Sequence, residues 1–500
     1  WGVTNAVSDV EDLYVEKFHP EKPHLYEFAG QWEEAQLVRE EIKIRGKKEP
    51  FIEEVRITRH GPIISSLPAP DGNGSVTDLP LALRWTGMEQ NNIISALQKL
   101  DRATNWNEFR EALRDWDVPP QNFVYADTEG NIGYIMAGAI PIRSKGQALL
   151  PSPGWTGEYE WNGLIPFEEL PQTYNPAQHF VVTANNRVVD DSYPYYITNE
   201  WLNGYRAQRI RDMLTSRGKL SQADMAAIQA DYYSIPGSQI VPQLLSVEAT
   251  TQLERAALDM LRTWDYILAA DSIGATIYTT FYRHFEHIVL GTVLGDDEEL
   301  LRDYLGRGAT LLNLLNGYTS RSKPLVIRLL NEHDDSWFAN SAIPDGPTSW
   351  DSTLTRAFSA AVKELQEQLG DDLTRWQYEK IHKMTFVHAL GLVKPLNLYF
   401  NRGPYGIGGD VDTVNVSVSL PHTPGEVITV PSYRQIIDLG DLPRSLSSHS
   451  PGQSGHQVSK HYDDFIDLFL KVKHHPMFYD RDTIEAHSEG TLHLWPKKYH

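Results

Sequence analysis

The stretch Val181-Val182-Thr183-Ala184-Asn185-Asn186-Arg187-Val188-Val189, taken with Tyr205-Arg206 further on, decides how this chain reads. With Phe180 it opens as a β-run, then breaks into two adjacent asparagines and an arginine. Asparagine disfavours strand interiors, tolerates turns and carries an amide N–H₂ donor. Two in a row at a strand end place side-chain donors at the rim of a sheet. An acyl-transfer enzyme needs such a donor to hold the oxyanion of its tetrahedral intermediate. The same residues also read as a plain turn after a buried strand, and the rest of the chain has to decide between the two.

Composition narrows the classes. The 500 residues suffice for one large or two to three ordinary domains. Lys+Arg 45 against Asp+Glu 66 gives a net charge of −21 without a long acidic block, which argues against nucleic acid and anionic membranes as partners. With no cysteine there is no disulfide, no thiolate metal site and no cysteine nucleophile. No apolar run reaches the ~18 residues that a membrane span requires, and no secretory signal pattern is present.

Outward from the asparagine pair, residues 24–87 alternate with period two and predict antiparallel strands. His60, in Arg59-His60-Gly61-Pro62, could serve as a general base, but a strand-end histidine making structural hydrogen bonds is the better reading. Residues 89–118 turn helical, with Trp106, Phe109, Leu113 and Trp116 on one stripe and Asn105 as the cap. Asn122–Ala126 and Asn131–Ala137 predict a hairpin whose turn uses Gly130 at positive φ. Residues 139–170, rich in Pro, Gly and Trp, predict a long loop packed over the sheet. From 207 to 400 helices dominate, with Ser221 capping a run through Met225, Ile228 and Tyr232, and later helices near 250–266, 275–291, 297–316, 324–331 and 353–369. His284, Glu286 and His287 lack zinc-site spacing, and His333-Asp334-Asp335 reads as a polar turn. Gly406, Gly408 and Gly409 predict a loop of unusual backbone geometry rather than a phosphate cradle. Ser454 sits in Gly452-Gln453-Ser454-Gly455-His456, which lacks the final glycine of a nucleophile elbow.

Several of these blocks together resemble the β-chain of the penicillin acylase family of N-terminal-nucleophile amidohydrolases. They are ANNRVV, SYPYYI and GYRAQRI around the opening stretch, the YAD-x-x-GNIGY hairpin, PYGIGGDVDTVNVSV and SPGQSGH. They occur in family order and span nearly the whole chain. The resemblance implies an α+β fold, the four-layer α/β/β/α sandwich with a large helical excursion. It divides the chain into a first part of the core (1–206), a mostly helical region (207–400) and C-terminal strands that complete the core (401–500). It implies hydrolysis of a linear amide by an N-terminal serine whose own α-amino group is the base. Asn185 then supplies the side-chain oxyanion donor and Asn5 the backbone donor. Arg206 is the active-site arginine, with Arg209 as the neighbour to distinguish from it. Gln121, with Val3 and Val7, falls at substrate-binding positions, and a glutamine there is unlike a purely aromatic acyl pocket. Asp9, the Glu11 carbonyl and Asp12 match a structural Ca²⁺ site. One further family ligand lies outside this chain, and another, expected beyond Tyr193-Pro194, has no clear carboxylate match, Asn199 and Glu200 being the residues nearby.

Trp1-Gly2-Val3-Thr4-Asn5 begins in what reads as mid-strand, and Trp1 has neither hydroxyl nor thiol. By the resemblance this is a chain whose front lies elsewhere, with the α-chain, the linker and the nucleophilic serine. The partners implied are that missing part and a small N-acyl amide, in a periplasmic or secreted protein. The competing readings are a carbohydrate-binding protein, from the many Trp and Tyr, and a retaining glycosidase, from the many carboxylates.

Overall fold

In the computed structural model, the description covers residues 1–65, 77, 79–89, 92–295, 297–305, 321–339, 341–343, 346–419 and 423–496. Within it the chain divides into two units, Trp1–Gly204 and the described residues from Tyr205 onward.

In the first unit, period-two segments pair into a four-stranded antiparallel sheet in the order Gly2–Asn5, Gln121–Ala126, Ile132–Ala137, Gln172–Tyr174. The expected hairpin is its centre, with Gly130 at φ 85°. One face carries Phe123, Tyr125 and Ile135 and packs on Trp106, Phe109 and Leu113. Asn105 caps that helix, Trp106–Ala112, by accepting from the Glu108 N–H at 3.0 Å. Gly133 is required by this packing, since a Cβ there would meet the Trp106 ring at 2.3 Å. Trp116 packs on the same core, its ring 4.9 Å from Phe123, although the α-helix stops at Ala112 and a 3-10 turn follows; its indole donates to the Pro119 carbonyl. The other face carries Tyr134 and Met136 and packs under Ile140, Ile165, Leu170 and Ile197. A second sheet places Glu11–Val15 between Ser152–Pro153 and Leu81–Trp85. The 139–170 loop thus contributes short strands, among them Pro141–Arg143 paired with Trp161–Leu164.

The opening stretch departs from prediction at one point. Phe180–Thr183 is not a strand; it runs without ladder pairing. The Thr183 hydroxyl meets the Thr4 hydroxyl at 2.9 Å instead, so a side-chain contact does what a backbone ladder was expected to do.

The second unit is built on the 22-residue helix Ile273–Leu294 and the 20-residue helix Trp350–Leu369, which share a core of Phe281, Phe285, Trp350, Phe358 and Trp376. Ser221 forms a capping box with Asp224, but that helix ends at Gln229. Tyr232 lies beyond it, where its carbonyl takes the Leu268 N–H. The helix predicted over 297–316 is seen as Glu298–Leu305, and its remainder lies outside the described residues. A helix not predicted, Ile235–Leu244, carries Pro236 in its first turn, where no N–H is needed, and Pro242 inside. Beyond these, Lys383–Phe386 and Arg402–Gly406 open a four-stranded sheet, and Tyr433–Ile436, Leu446–His449 and His475–Pro476 form a three-stranded one.

Candidate active site

The strand Gly2–Asn5 is the terminal strand of its sheet. Ala6 donates to the Pro120 carbonyl at 3.3 Å, and the register pairs Thr4 with Asn122 and Asn5 with Gln121. Hydrogen-bonded and non-hydrogen-bonded pairs alternate along an antiparallel ladder. Asn5 and Gln121 are therefore a non-hydrogen-bonded pair, and the N–H and C=O of Asn5 face away from Gln121, towards the edge of the sheet.

Asn185 arrives at that edge. Its Nδ2 donates to the Asn5 carbonyl at 2.9 Å. Its backbone takes φ 64°, a left-handed conformation that asparagine tolerates better than most residues. The two asparagines divide their tasks. Asn186 turns inward on its own loop, with Oδ1 accepting from Ala184 N–H at 3.1 Å and Nδ2 donating to the Arg187 carbonyl at 2.8 Å. Leu202 N–H donates to the Asn185 carbonyl at 3.0 Å and fixes the loop from its other side.

Beneath this edge lies a polar cluster that the sequence did not disclose. Asn122, buried at 1% exposure, donates through Nδ2 to the Thr4 hydroxyl and the Asn5 carbonyl, both at 3.2 Å. Its Oδ1 accepts from the Tyr134 hydroxyl at 2.7 Å. Gln121, also buried, donates to Asn5 Oδ1 at 3.0 Å. Val3 is exposed, and half-buried Val7 holds φ 55°, a strained conformation for a β-branched residue. Asn5, Gln121 and Asn185 are thus brought together. Arg206 belongs to the second unit, in the helix Tyr205–Thr215. There burial lowers its pKa, while Asp412 and Asp410 act in the opposite direction. Arg209 is committed elsewhere, gripping both Asp231 oxygens at 2.9 and 2.7 Å.

The acidic turn behaves differently from a metal-binding loop. Asp12 accepts from Arg143 Nε at 3.0 Å on each oxygen, from Arg143 Nη2 at 2.9 Å, and from the Trp161 indole at 2.5 Å. Asp9 lies 3.5 Å from Arg143 Nη2, which also donates to the Asp9 carbonyl at 3.1 Å. Burial pushes the Asp9 carboxyl up to about 7 against the pull of Arg143, with Asp12 and Glu200 adding to the rise. Glu11 lies in the strand Glu11–Val15, opposite Trp85. Among the described residues no three His, Cys, Asp or Glu gather as a metal site. Asp9, Glu11 and Asp12 as arranged here do not fit a calcium ion.

The other tempting residues resolve as structural. His60 is fully buried and stacked on Tyr14, its ring nitrogens 2.8 Å from Glu16 and 2.7 Å from Glu160. His284 pairs with Glu364, while Glu286 accepts from Tyr282 and Ser322. Ser454 closes a turn by accepting the His456 N–H. Of Gly406, Gly408 and Gly409, only Gly409 takes a positive φ, 86°, and Gly406 ends the strand Arg402–Gly406 instead of lying in a loop. A polar cavity of about 820 Å³ in the second unit is walled in part by Lys323, Glu286 and Asp410.

An edge-strand carbonyl and amide met by a left-handed asparagine is the layout expected of an acyl-transfer hydrolase. Comparison with known proteins agrees at the level of family. Residues 1–486 match the penicillin amidase family model, and the chain belongs to that family. It is 28% identical over 513 residues to the acyl-homoserine lactone acylase QuiP of Pseudomonas aeruginosa, covering 95% of this chain and 58% of that protein. It is 28% identical over 498 residues to the penicillin acylase 2 proenzyme of Pseudomonas sp. strain SE83, covering 99% and 60%. This chain therefore spans under two thirds of the length of those relatives. A solved structure of a thermostable penicillin G acylase from Alcaligenes faecalis superposes with a TM-score of 0.69 at 21% identity, over 100% of this chain and 88% of that one. That likeness establishes an α+β fold shared with that acylase. The carbohydrate-binding and glycosidase readings gain no support from these matches. Among the described residues no helix is long and apolar enough to cross a membrane.

Proposed function

We propose that the protein containing this chain is an amidohydrolase that cleaves the linear amide of N-acyl compounds, with penicillins, related β-lactam side chains and acyl-homoserine lactones as the candidate substrates. The observation that supports this best is the meeting of Asn185 Nδ2 with the backbone of Asn5, 2.9 Å from its carbonyl, at the edge of the sheet. In this reading the Asn185 side-chain amide and the edge-facing N–H of Asn5 are the two donor groups assigned to the oxyanion. Such donors stabilise charge that develops only in the transition state. In this reading an N-terminal serine, supplied by the rest of the protein after self-processing, attacks the carbonyl, and its α-amino group takes the proton. By the family resemblance Arg206 is the active-site arginine, and buried Gln121 adds a polar element to the acyl pocket. A periplasmic or secreted location follows from the same reading.

The test uses the complete, processed protein with a chromogenic anilide and an acyl-homoserine lactone. Asn185→Ala should lower kcat by roughly 10²–10³ with little change in KM, the usual loss for one oxyanion donor. Asn186→Ala should stay near wild-type turnover, because its side chain serves only the loop. The opposite ranking of the two variants, or equal mild losses, would count against the assignment.

A further inference from the structure

We propose that Arg143 takes the place of a divalent cation between Asp9 and Asp12, so that this acidic turn is closed by the chain itself and needs no calcium. A carboxylate has two oxygens and about four lone-pair directions. Asp12 takes three N–H hydrogens, two from the Arg143 guanidinium, whose single Nε hydrogen is shared between both oxygens, and one from the Trp161 indole. Both carboxylate oxygens are thus engaged before any metal is considered. Ca²⁺ needs six to eight oxygens at about 2.3–2.6 Å. An ion that close to Asp12 would stand against a fixed positive charge.

The geometry also suits a permanent clamp. Arg143 and Asp12 have side chains only 4% and 6% exposed, and a buried fork on a carboxylate loses little to solvent screening. The same Nη2 reaches the Asp9 carbonyl, so one guanidinium ties the backbone at the start of the turn to the carboxylate at its end. The Tyr196 ring lies under Arg143 at 5.8 Å, and its hydroxyl approaches Asp9 at 3.4 Å. Arginine, indole and phenol together supply what a metal would otherwise provide, positive charge and fixed directions. The residues joined lie 131 positions apart, so the clamp fastens the segment that follows Asn5 to the strand Pro141–Arg143. This inference concerns stability and does not depend on the acylase reading.

The experiment is thermal unfolding of the complete protein with EDTA, with added calcium and with neither, together with equilibrium dialysis against radioactive calcium. Wild type should melt at one temperature in all three conditions and retain no calcium at this turn. Arg143→Met should melt several degrees lower, and Arg143→Lys, which keeps the charge but loses the fork, should fall between them. A fall in the wild-type melting temperature with EDTA that calcium restores would overturn the proposal. So would an Arg143→Met protein that melts with wild type. If Arg143→Met does not fold, the wild-type chelation comparison and Arg143→Lys still decide.

Discussion

At the scale of single residues, the best-placed side chain is one that no motif announced. Asn122 is buried with both amide hydrogens and its oxygen engaged: Thr4 and Asn5 on one side, Tyr134 on the other. Truncating one member of such a cluster strands its partners without water, at about 1–3 kcal/mol per orphaned group. Asn122→Ala should therefore destabilise the protein by about 2–3 kcal/mol, and Tyr134→Phe by about 1 kcal/mol. The pair should be coupled in a double-mutant cycle of urea unfolding, because both substitutions break the same bond. Strict additivity would mean that the Tyr134 hydroxyl is satisfied by another group. A turn at Asn185 was legible at this scale because asparagine favours left-handed turns, whereas its choice over Asn186 as the donor came from the family resemblance. Arg143 was not legible: its partner lies 131 residues away, and nothing local distinguishes a clamping arginine from a solvated one.

At the scale of elements, local chemistry was readable and its limits were physical. Asn105 and Ser221 cap as expected because a cap is settled within a few residues. Ile235–Leu244 was missed because prolines argue against a helix unless their positions in it are known. The strand expected at Phe180–Thr183 failed because strand pairing needs a neighbour, and here the contact to Thr4 is made by side chains.

The junction between the short helix Tyr378–Ile381 and the strand Lys383–Phe386 carries a prediction of its own. His382 fills it, buried, stacked on Tyr378 and 2.9 Å from the Ile407 carbonyl through Nδ1. Burial lowers its pKa from 6.5 to about 4, although the Ile407 carbonyl favours the protonated ring. The unfolded chain then takes up a proton near pH 6.5 that the folded chain refuses until about pH 4. Stability from this group is present above pH 6.5 and is lost as pH falls through that window. At about 1.4 kcal/mol per pKa unit the loss is on the order of 3 kcal/mol. Denaturant unfolding at steps from pH 7 to pH 4 should show this fall in wild type and a shallower one in His382→Asn. Identical slopes would remove His382 from the account.

At the scale of the whole molecule, the order and spacing of several weak motifs identified the family where no single one could. Asn-Asn alone is a turn, and Gly-Gln-Ser-Gly-His alone suggests a hydrolase serine that the structure shows to be a turn residue. Asp9, Glu11 and Asp12 carry the family's calcium pattern, and on the proposal above a residue from a distant strand, Arg143, closes that turn in the ion's place.

The pairing of Gly2–Asn5 with Gln121–Ala126 has a consequence in time. The hairpin Gln121–Ala137 closes through a few residues, whereas the first strand must find a partner more than a hundred residues away. Closing so long a loop costs entropy that local contacts do not offset at once, so the strand should join an already formed hairpin. By the same reasoning it should leave first, in an opening that does not unfold the sheet. Native-state hydrogen exchange should find the Thr4 amide exchanging through such a partial opening, while the amides of Phe123 and Ile135 wait for global unfolding. Equal protection at all three would show that the sheet opens as one piece. If they differ, the strand bearing Asn5 is released more readily than the hairpin it joins, and anything that binds across it will slow its exchange before it raises the stability of the whole.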